Sequence, residues 1–393
     1  MPWKVTTTME QKLEFISAWR TGEHTITELC KSFEISRTTA YRLIDRFEKF
    51  GLEGLIQRKK TPQSHPNKTS DEVVKNLLNW KEKKPRWGAK KIRELLFKSH
   101  QEKEVPSVVT VHNILKKNGL VKPQKRHKRI QPINPIFDPK KCNEIWSADY
   151  KGKFYMGNRK YCHTFTVADS KSRYIFSAKG HYHENTKNVK AELTRVFRIY
   201  GIPQQLHTDN GSPFGSAQSQ NRFTKLSYWL IDLGIMPVFS DPGRPDQNGR
   251  HERMHRDLKA ACARPSAYDL KAQQRSLNRF LKEYNHERPH EALDMKTPGE
   301  VHNYSTRPFP EKIRDFDYDS DMKVQIVTQN GALRWGSKFW VYLTVSLKGK
   351  YVGLRHKGNG IWEVYYRNVF LGFVDEKTRK ENEKSIKVYQ KIV

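Results

Sequence analysis

Ile145–Tyr150 (IWSADY), Tyr161–Ala168 (YCHTFTVA) and Tyr174–Ala178 (YIFSA) are short apolar runs rich in aromatic and β-branched residues. They read as three strands, the last two flanking a turn at Asp169–Arg173. Beyond them, Val189, Leu193, Val196, Phe197 and Tyr200 fall at helical spacing, and Gly201 and Pro203 stop that helix. Leu206-His207-Thr208 then runs into an Asp209-Asn210-Gly211 turn. A further helix (Phe223, Leu226, Leu230, Leu233) and a strand at Ile235–Phe239 follow. Strands first, then alternating helix and strand, predict an α/β layer on a mixed sheet.

Three carboxylates stand out within this segment. Asp149 lies on the first strand. Asp209 ends a strand at a tight turn, and Glu252 opens a helix after the Gly-rich polar loop that starts at Asp241. Cutting and joining phosphodiesters with two divalent ions needs about three carboxylates converging on ions roughly 3.5–4 Å apart. Asp149, Asp209 and Glu252 are the candidates. From Glu252, His255 with Arg256 and then Lys259 lie one and two turns along the helix, which would set cations for a phosphate backbone beside a metal-binding carboxylate. Asp169 and Asp241 read as turn residues and Asp257 as an exposed helix charge. His181-x-His183-Glu184 reads as a polar strand exit rather than a zinc site, and His251 and His255 as contacts to DNA or water.

Upstream, two stretches read as linkers: Gln57–Lys68, basic and Pro-containing, and Lys122–Lys141, with four prolines and the cations Lys125, Arg126 and Arg129. Before the first lie Leu13, Ile16 and Trp19, then Leu29 and Phe33. After a break at Glu34-Ile35, Ser36 reads as the cap of a helix with Tyr41, Ile44 and Phe47 inward. This is a helix-turn-helix pattern, whose second helix would offer Arg37, Thr38 and Arg42 to DNA. Between the linkers, Ile92, Leu95 and Leu96, then a helix opened by Pro106-Ser107 with Val111 and Leu115 inward, repeat the pattern. There Thr110, Asn113 and Lys117 face out.

The chain of 393 residues carries 73 Lys and Arg against 42 Asp and Glu, a net +31. The excess is +16 over residues 1–141, +8 over 142–300 and +7 over 301–393, so every part is basic and a polyanion is the simplest partner. No apolar run approaches the ~20 residues of a membrane span, and the first residues lack a signal-peptide core. Four scattered cysteines with no C-x-x-C pair argue against a disulfide framework. These features fit a cytoplasmic, nucleoid-associated protein. A tyrosine recombinase is disfavoured because none of the 15 histidines begins a His-x-x-Arg string.

The strings WSAD (Trp146–Asp149), HTDNGSPF (His207–Phe214), PGRPDQNGRHERMHR (Pro242–Arg256) and YNHERPHEAL (Tyr284–Leu293), with Thr297-Pro298, resemble the core of bacterial insertion-sequence transposases, whose catalytic domain is similar to retroviral integrase. The resemblance covers about residues 140–300. It implies an RNase-H-like core in which Asp149, Asp209 and Glu252 hold Mg²⁺, with Mn²⁺ as a substitute, and upstream helix-turn-helix modules that bind terminal inverted repeats. The 42 residues between Asp209 and Glu252 exceed the family's usual interval, and Gly215–Asn221 reads as a loop insertion. Beyond residue 321 the pattern turns to short strands, with a hairpin signal at Asn330-Gly331. These strands and exposed Lys348, Lys350, Arg355 and Lys357 resemble the SH3-like DNA-binding domain that ends integrases, with a charged helix or tail from Asp375.

The expected fold is thus multidomain α+β. Helix-turn-helix modules occupy 1–56 and 69–121, linkers 57–68 and 122–141, the RNase-H-like core 142–300, and a small SH3-like β-barrel 322–375. The expected function is a DNA transposase that cleaves element ends and joins the 3′-OH to target DNA. Its partners would be double-stranded DNA and further copies of itself, with no membrane. The alternative is a DNA-binding repressor or domesticated transposase without cleavage.

Overall fold

The computed structural model describes residues 7–56, 68–122, 138–209, 211–215, 222–240, 249–336, 339–378 and 385–389. The chain forms two compact units that divide between Ser70 and Asp71. In the first unit, α1 (Thr8–Thr21), α2 (Ile26–Ser32) and α3 (Arg37–Phe50) each begin at a hydroxyl cap. Thr7 and Thr25 form capping boxes with Glu10 and Glu28, and Ser36 accepts from the Thr39 amide. The α2–α3 turn puts Glu34 at φ +51°, while the Ile35 amide donates back to Cys30. Phe15, Ile16, Leu29, Cys30, Ala40, Leu43, Ile44 and Leu55 form the core. Tyr41 is 57% exposed and Leu13 lies at the rim. Ile16 and Ile44 lie in the core with Trp19 and Phe47 against it, as the spacing by threes implied, whereas Leu13 and Tyr41 fall at its edge because a three-residue spacing drifts off one helical face.

The second unit begins with α4 (Asp71–Lys83), α5 (Ala89–Leu96) and α6 (Val108–Lys117). Ser107 caps α6 through the Thr110 amide, and Val73, Leu77, Trp87, Ile92, Leu96, Val111 and Leu115 are buried together. Lys84 and Lys90 each reach 2.8 Å from Glu287 and Glu291, fastening this bundle to the layer that follows.

That layer is a five-stranded sheet in the order β3-β2-β1-β4-β5: β1 (Ile145–Tyr155), β2 (Tyr161–Asp169), β3 (Ile175–His181), β4 (Gln205–Thr208) and β5 (Met236–Phe239). The first three strands pair antiparallel, whereas β4 runs parallel to both β1 and β5. Alternation gives the sheet two apolar faces. Trp146, Ala148, Phe165 and Val167 pack under α7 (Thr186–Tyr200) and α8 (Lys225–Asp232). Ala168, Ile175 and Ala178 pack under α9 (Gly249–Cys262) and α10 (Leu270–His286), with Met254, Leu258, Leu277 and Phe280.

The C-terminal strands are β6 (Met322–Ile326), β7 (Ala332–Trp335), β8 (Phe339–Tyr342), β9 (Tyr351–Gly358), β10 (Ile361–Tyr366), β11 (Val369–Asp375) and β12 (Ser385–Lys387). They form a four-stranded sheet, β11-β10-β9-β6, and a three-stranded sheet, β12-β8-β7, over one core. The expected small barrel is corrected here: among the described residues no closed barrel exists. The Asn330-Gly331 signal makes a turn but no hairpin, because β6 pairs with β9 while β7 pairs with β8. The expected tail supplies β12, parallel to β8, because Ile386 has an apolar seat in that core. Lys350 pairs with Asp232, Arg355 with Asp319 and Asp321, and Lys357 with Glu363, so three of the four cations expected to be available to DNA are already neutralised. Among the described residues no helix is long and apolar enough to cross a membrane.

Candidate active site

Asp149 and Asp209 meet because of strand register. Ile145, Trp146 and Ser147 of β1 pair with Gln205, Leu206 and His207 of β4. Two residues further on by that register, Asp149 in the middle of β1 stands level with Asp209, the residue just after the end of β4. Asp209 is held by its own turn: the Gly211 amide donates to Oδ1 at 3.3 Å, and a Cβ at Gly211 would come within 3.1 Å of Oδ2. Glu252 approaches from the first turn of α9, where it is exposed.

Electrostatics tie the three together. Burial, then the Asp209 charge, and in smaller measure Glu252, push the Asp149 carboxyl up to about 7. Burial, and to a smaller extent the charge of Glu184, raise Asp209 as well. Asp149 and Asp209 are thus two carboxyls made harder to ionise, and their oxygens are the ligand type that a hard divalent cation takes.

Beneath Asp149 lies a buried polar network that sequence reading missed. Thr166 Oγ1 is 2.7 Å from Nε2 of both His251 and His255, and 3.1 Å from the Asp149 carbonyl. A hydroxyl has one proton and two lone pairs. The carbonyl can only accept, so Thr166 donates to it and both imidazoles donate Nε2–H to Thr166. His251 Nδ1 then accepts from the Ser147 hydroxyl at 2.7 Å, and His255 Nδ1 faces Asp149 Oδ2 at 3.7 Å. Burial holds both rings neutral, with His251 pushed down to about 3 and His255 lower still. The reading of these histidines as contacts to DNA or water is therefore corrected: their polar atoms are spent inside the fold. The α9 stripe splits accordingly. His255 is buried, while Glu252, Arg256 and Lys259 stay exposed. The only sequence signal for this was the i, i+4 spacing of the two histidines beside Met254 and Leu258.

Other residues fall as follows. Asp169 anchors its turn, accepting from the Asn143 and Ser172 amides and the Ser172 hydroxyl. Asp257 pairs with Arg288 at 2.6 Å, half-buried rather than exposed. Glu184 lies 2.7 Å from Nδ1 of His163. On α3, Arg37, Thr38 and Arg42 are exposed, with Arg37 reaching the Thr27 hydroxyl. On α6, Asn113 and Lys117 are exposed and Thr110 half-exposed. Lys125, Arg126 and Arg129, the residues of the 241–248 loop including Asp241, and most of the Gly215–Asn221 stretch lie outside the described residues.

Residues 139–245 and 233–298 each match an integrase core domain, residues 11–62 a helix-turn-helix domain and residues 39–115 a homeodomain-like domain. The transposase for transposon Tn552 of Staphylococcus aureus is 23% identical over 402 residues, covering 92% of this chain and 82% of that protein. An insertion element IS407 protein of 31.7 kDa from Burkholderia multivorans is 22% identical over 253 residues, 63% of this chain and 87% of that one. Among solved structures, the HTLV-2 integrase catalytic core domain in complex with magnesium aligns with 42% of this chain and all of that one, at 17% identity and a TM-score of 0.34. An integrase-like core implies dependence on a divalent metal, and the helix-turn-helix domains imply DNA binding. Integrase-core and helix-turn-helix matches along one chain, with the Tn552 transposase and the IS407 protein as relatives, support an insertion-sequence transposase with an integrase-like core and indicate a polynucleotidyl transferase.

Proposed function

We propose that the protein binds the terminal inverted repeats of an insertion sequence, cleaves the DNA at those ends and joins the freed 3′-OH to target DNA by two-metal transesterification. The observation that carries this reading is the level placement of Asp149 and Asp209 on adjacent parallel strands, with Glu252 close enough to raise the Asp149 carboxyl further. Asp149, Asp209 and Glu252 would hold two Mg²⁺, with Mn²⁺ able to replace them. When bound, such ions activate the attacking oxygen and stabilise the leaving one.

The chain's own groups do the rest. Exposed Arg256 and Lys259, one and two turns beyond Glu252, hold the phosphate backbone against the carboxylates. The Thr166–His251–His255 network ties β2 to α9 and, through the Asp149 carbonyl, holds β1 with them. Arg37, Thr38 and Arg42 on α3, with Thr110, Asn113 and Lys117 on α6, read the element's end. The basic segment with Lys125, Arg126 and Arg129 follows the phosphates between the modules. Two ends must be brought together, so the working form is a homo-oligomer.

The test is cleavage and joining of a labelled element end in Mg²⁺ by the parent and by Asp149→Asn, Asp209→Asn and Glu252→Gln. Each variant loses both reactions and keeps DNA binding, since an amide of the same shape lacks the charge to hold two ions together. Substantial activity in any of them removes that residue from the site.

A further inference from the structure

β1 does not stop at the carboxylates. It runs six residues past Asp149 and returns as β2, so the β1–β2 hairpin projects roughly 15–20 Å beyond the acidic cluster at about 3.3 Å per residue. Its bases and rings form a distinct surface. Lys151, Lys153, Arg159 and Lys160 lie within ten residues that contain no acid. Tyr155 and Tyr161 are register partners, stacked at 4.1 Å with planes 26° apart. Lys153 Nζ sits 4.6 Å over the Tyr161 ring, and Lys160 Nζ is 5.8 Å from the ring of Tyr182.

Nothing in the fold asks for this exposure. Tyr155 is 58% and Tyr182 41% exposed, while Tyr161 is half-buried between Tyr155 and the Lys153 ammonium. The surface is also rigid. The Gly157 and Asn158 amides donate to the carbonyls of Ala267 and Tyr268, which pins the hairpin tip to the α9–α10 loop. Gly157 lets the two segments approach closely there, since a Cβ would come within 3.0–3.1 Å of Tyr268 and push it aside. Tyr268 itself is 71% exposed beside the tip.

Resting on the transposase reading above, we infer that this hairpin is a nucleic-acid platform: it takes a single-stranded stretch of the DNA substrate that leads away from the acidic cluster. The lysines hold its phosphates and the outer face of the Tyr155–Tyr161 stack receives an unpaired base. Aromatic faces interleaved with cations are the chemistry that binds single strands without reading sequence. Pre-ordered rings lose little entropy on binding.

The test uses the full-length protein and element ends that are either blunt or carry a short single-stranded overhang, with iodo-deoxyuridine in the overhang for photo-crosslinking. Irradiation crosslinks the overhang to the peptide holding Tyr155 or Tyr161. Tyr155→Ala with Tyr161→Ala weakens binding of the overhanging end by about five- to hundredfold and leaves the blunt end within twofold. Lys153→Ala lowers the salt dependence by about one phosphate contact. If the parent binds both ends but crosslinks elsewhere, or if the tyrosine variants weaken blunt and overhanging ends alike, the platform is overturned and the transposase reading stands. If the parent neither binds nor cuts either end, that reading fails, and the platform with it.

Discussion

Ser147 Oγ lies 2.7 Å from Nδ1 of His251, so the helix whose first turn carries Glu252 is hydrogen-bonded to the strand that carries Asp149. Two acidic residues 103 positions apart therefore keep their relative position through buried neutral groups, not through each other. Thr166 is the other half of that link. Thr166→Val keeps the shape but strands two imidazole donors and a carbonyl, and we expect it to cost about 1–3 kcal/mol in urea unfolding. It also lowers kcat for end cleavage while KM for DNA stays put, and Thr166→Ser restores both.

Asp149 gives the metal-free protein a signature in pH. Burial pushes its carboxyl up to about 7 in the folded state, against an ordinary 3.8. The folded state thus holds a proton that the unfolded chain releases. This contribution is complete below about 3.8 and is lost as pH rises to about 7. Melting in EDTA from pH 5 to pH 8 should lower the parent's Tm more than that of Asp149→Asn, with the variant ahead at pH 8 by about 1–3 kcal/mol. Adding Mg²⁺ at pH 8 recovers the parent and leaves the variant unchanged.

Lys259 and Arg256 belong to the exposed side of α9. Replacing Lys259 with Ala weakens DNA joining and reduces the salt slope of binding by about one unit. The Mg²⁺ concentration for half-maximal activity does not move. A changed metal requirement would place Lys259 among the carboxylates instead.

Arg37 and Arg42 lie at the exposed N-terminal end of α3. Arg37→Ala or Arg42→Ala should cost about 1–3 kcal/mol on the element's own end and much less on unrelated DNA. Equal loss on both sequences would make them phosphate contacts.

Asp232 is 95% shielded at its side chain and accepts from Tyr366, Arg367 and Lys350. Asp232→Ala leaves Arg367 uncompensated in a half-buried site and should destabilise the second unit by about 3–5 kcal/mol, read as a lower melting transition. Activity below that transition should persist, since no acidic-cluster residue is touched.

Local chemistry was the legible part of this protein. Ser36 and Ser107 cap helices because a hydroxyl before a helix serves its first amides wherever the helix lies. The strand read at Tyr161–Ala168 is β2, Tyr161–Asp169, because an apolar run of that length rich in aromatic and β-branched residues marks itself. Partnership between distant segments was not legible. Tyr41 looked inward and is not, β12 was read as a tail, and His251 and His255 looked solvent-bound. In each case the outcome depends on what a distant segment brings to the contact. The position of Asp149 beside Asp209 is of this kind too: each carboxylate stood out alone, but the register that levels them is set by the pairing of β1 with β4.

Helix α8 is amphiphilic in an unusual sense, for it is apolar on both sides. Leu226 and Leu230 lie in the core beneath the central sheet, while Tyr228 and Ile231 lie in the core of the C-terminal sheets, joined there by Phe223 from just before the helix. One helix is thus a party wall between two rooms. A recombination event that exchanged the C-terminal sheets between relatives, with a crossover near residue 310, would bring in a foreign surface for this wall to match. Viable chimaeras should have their crossover before Phe223 or inherit both sides of the wall from one parent.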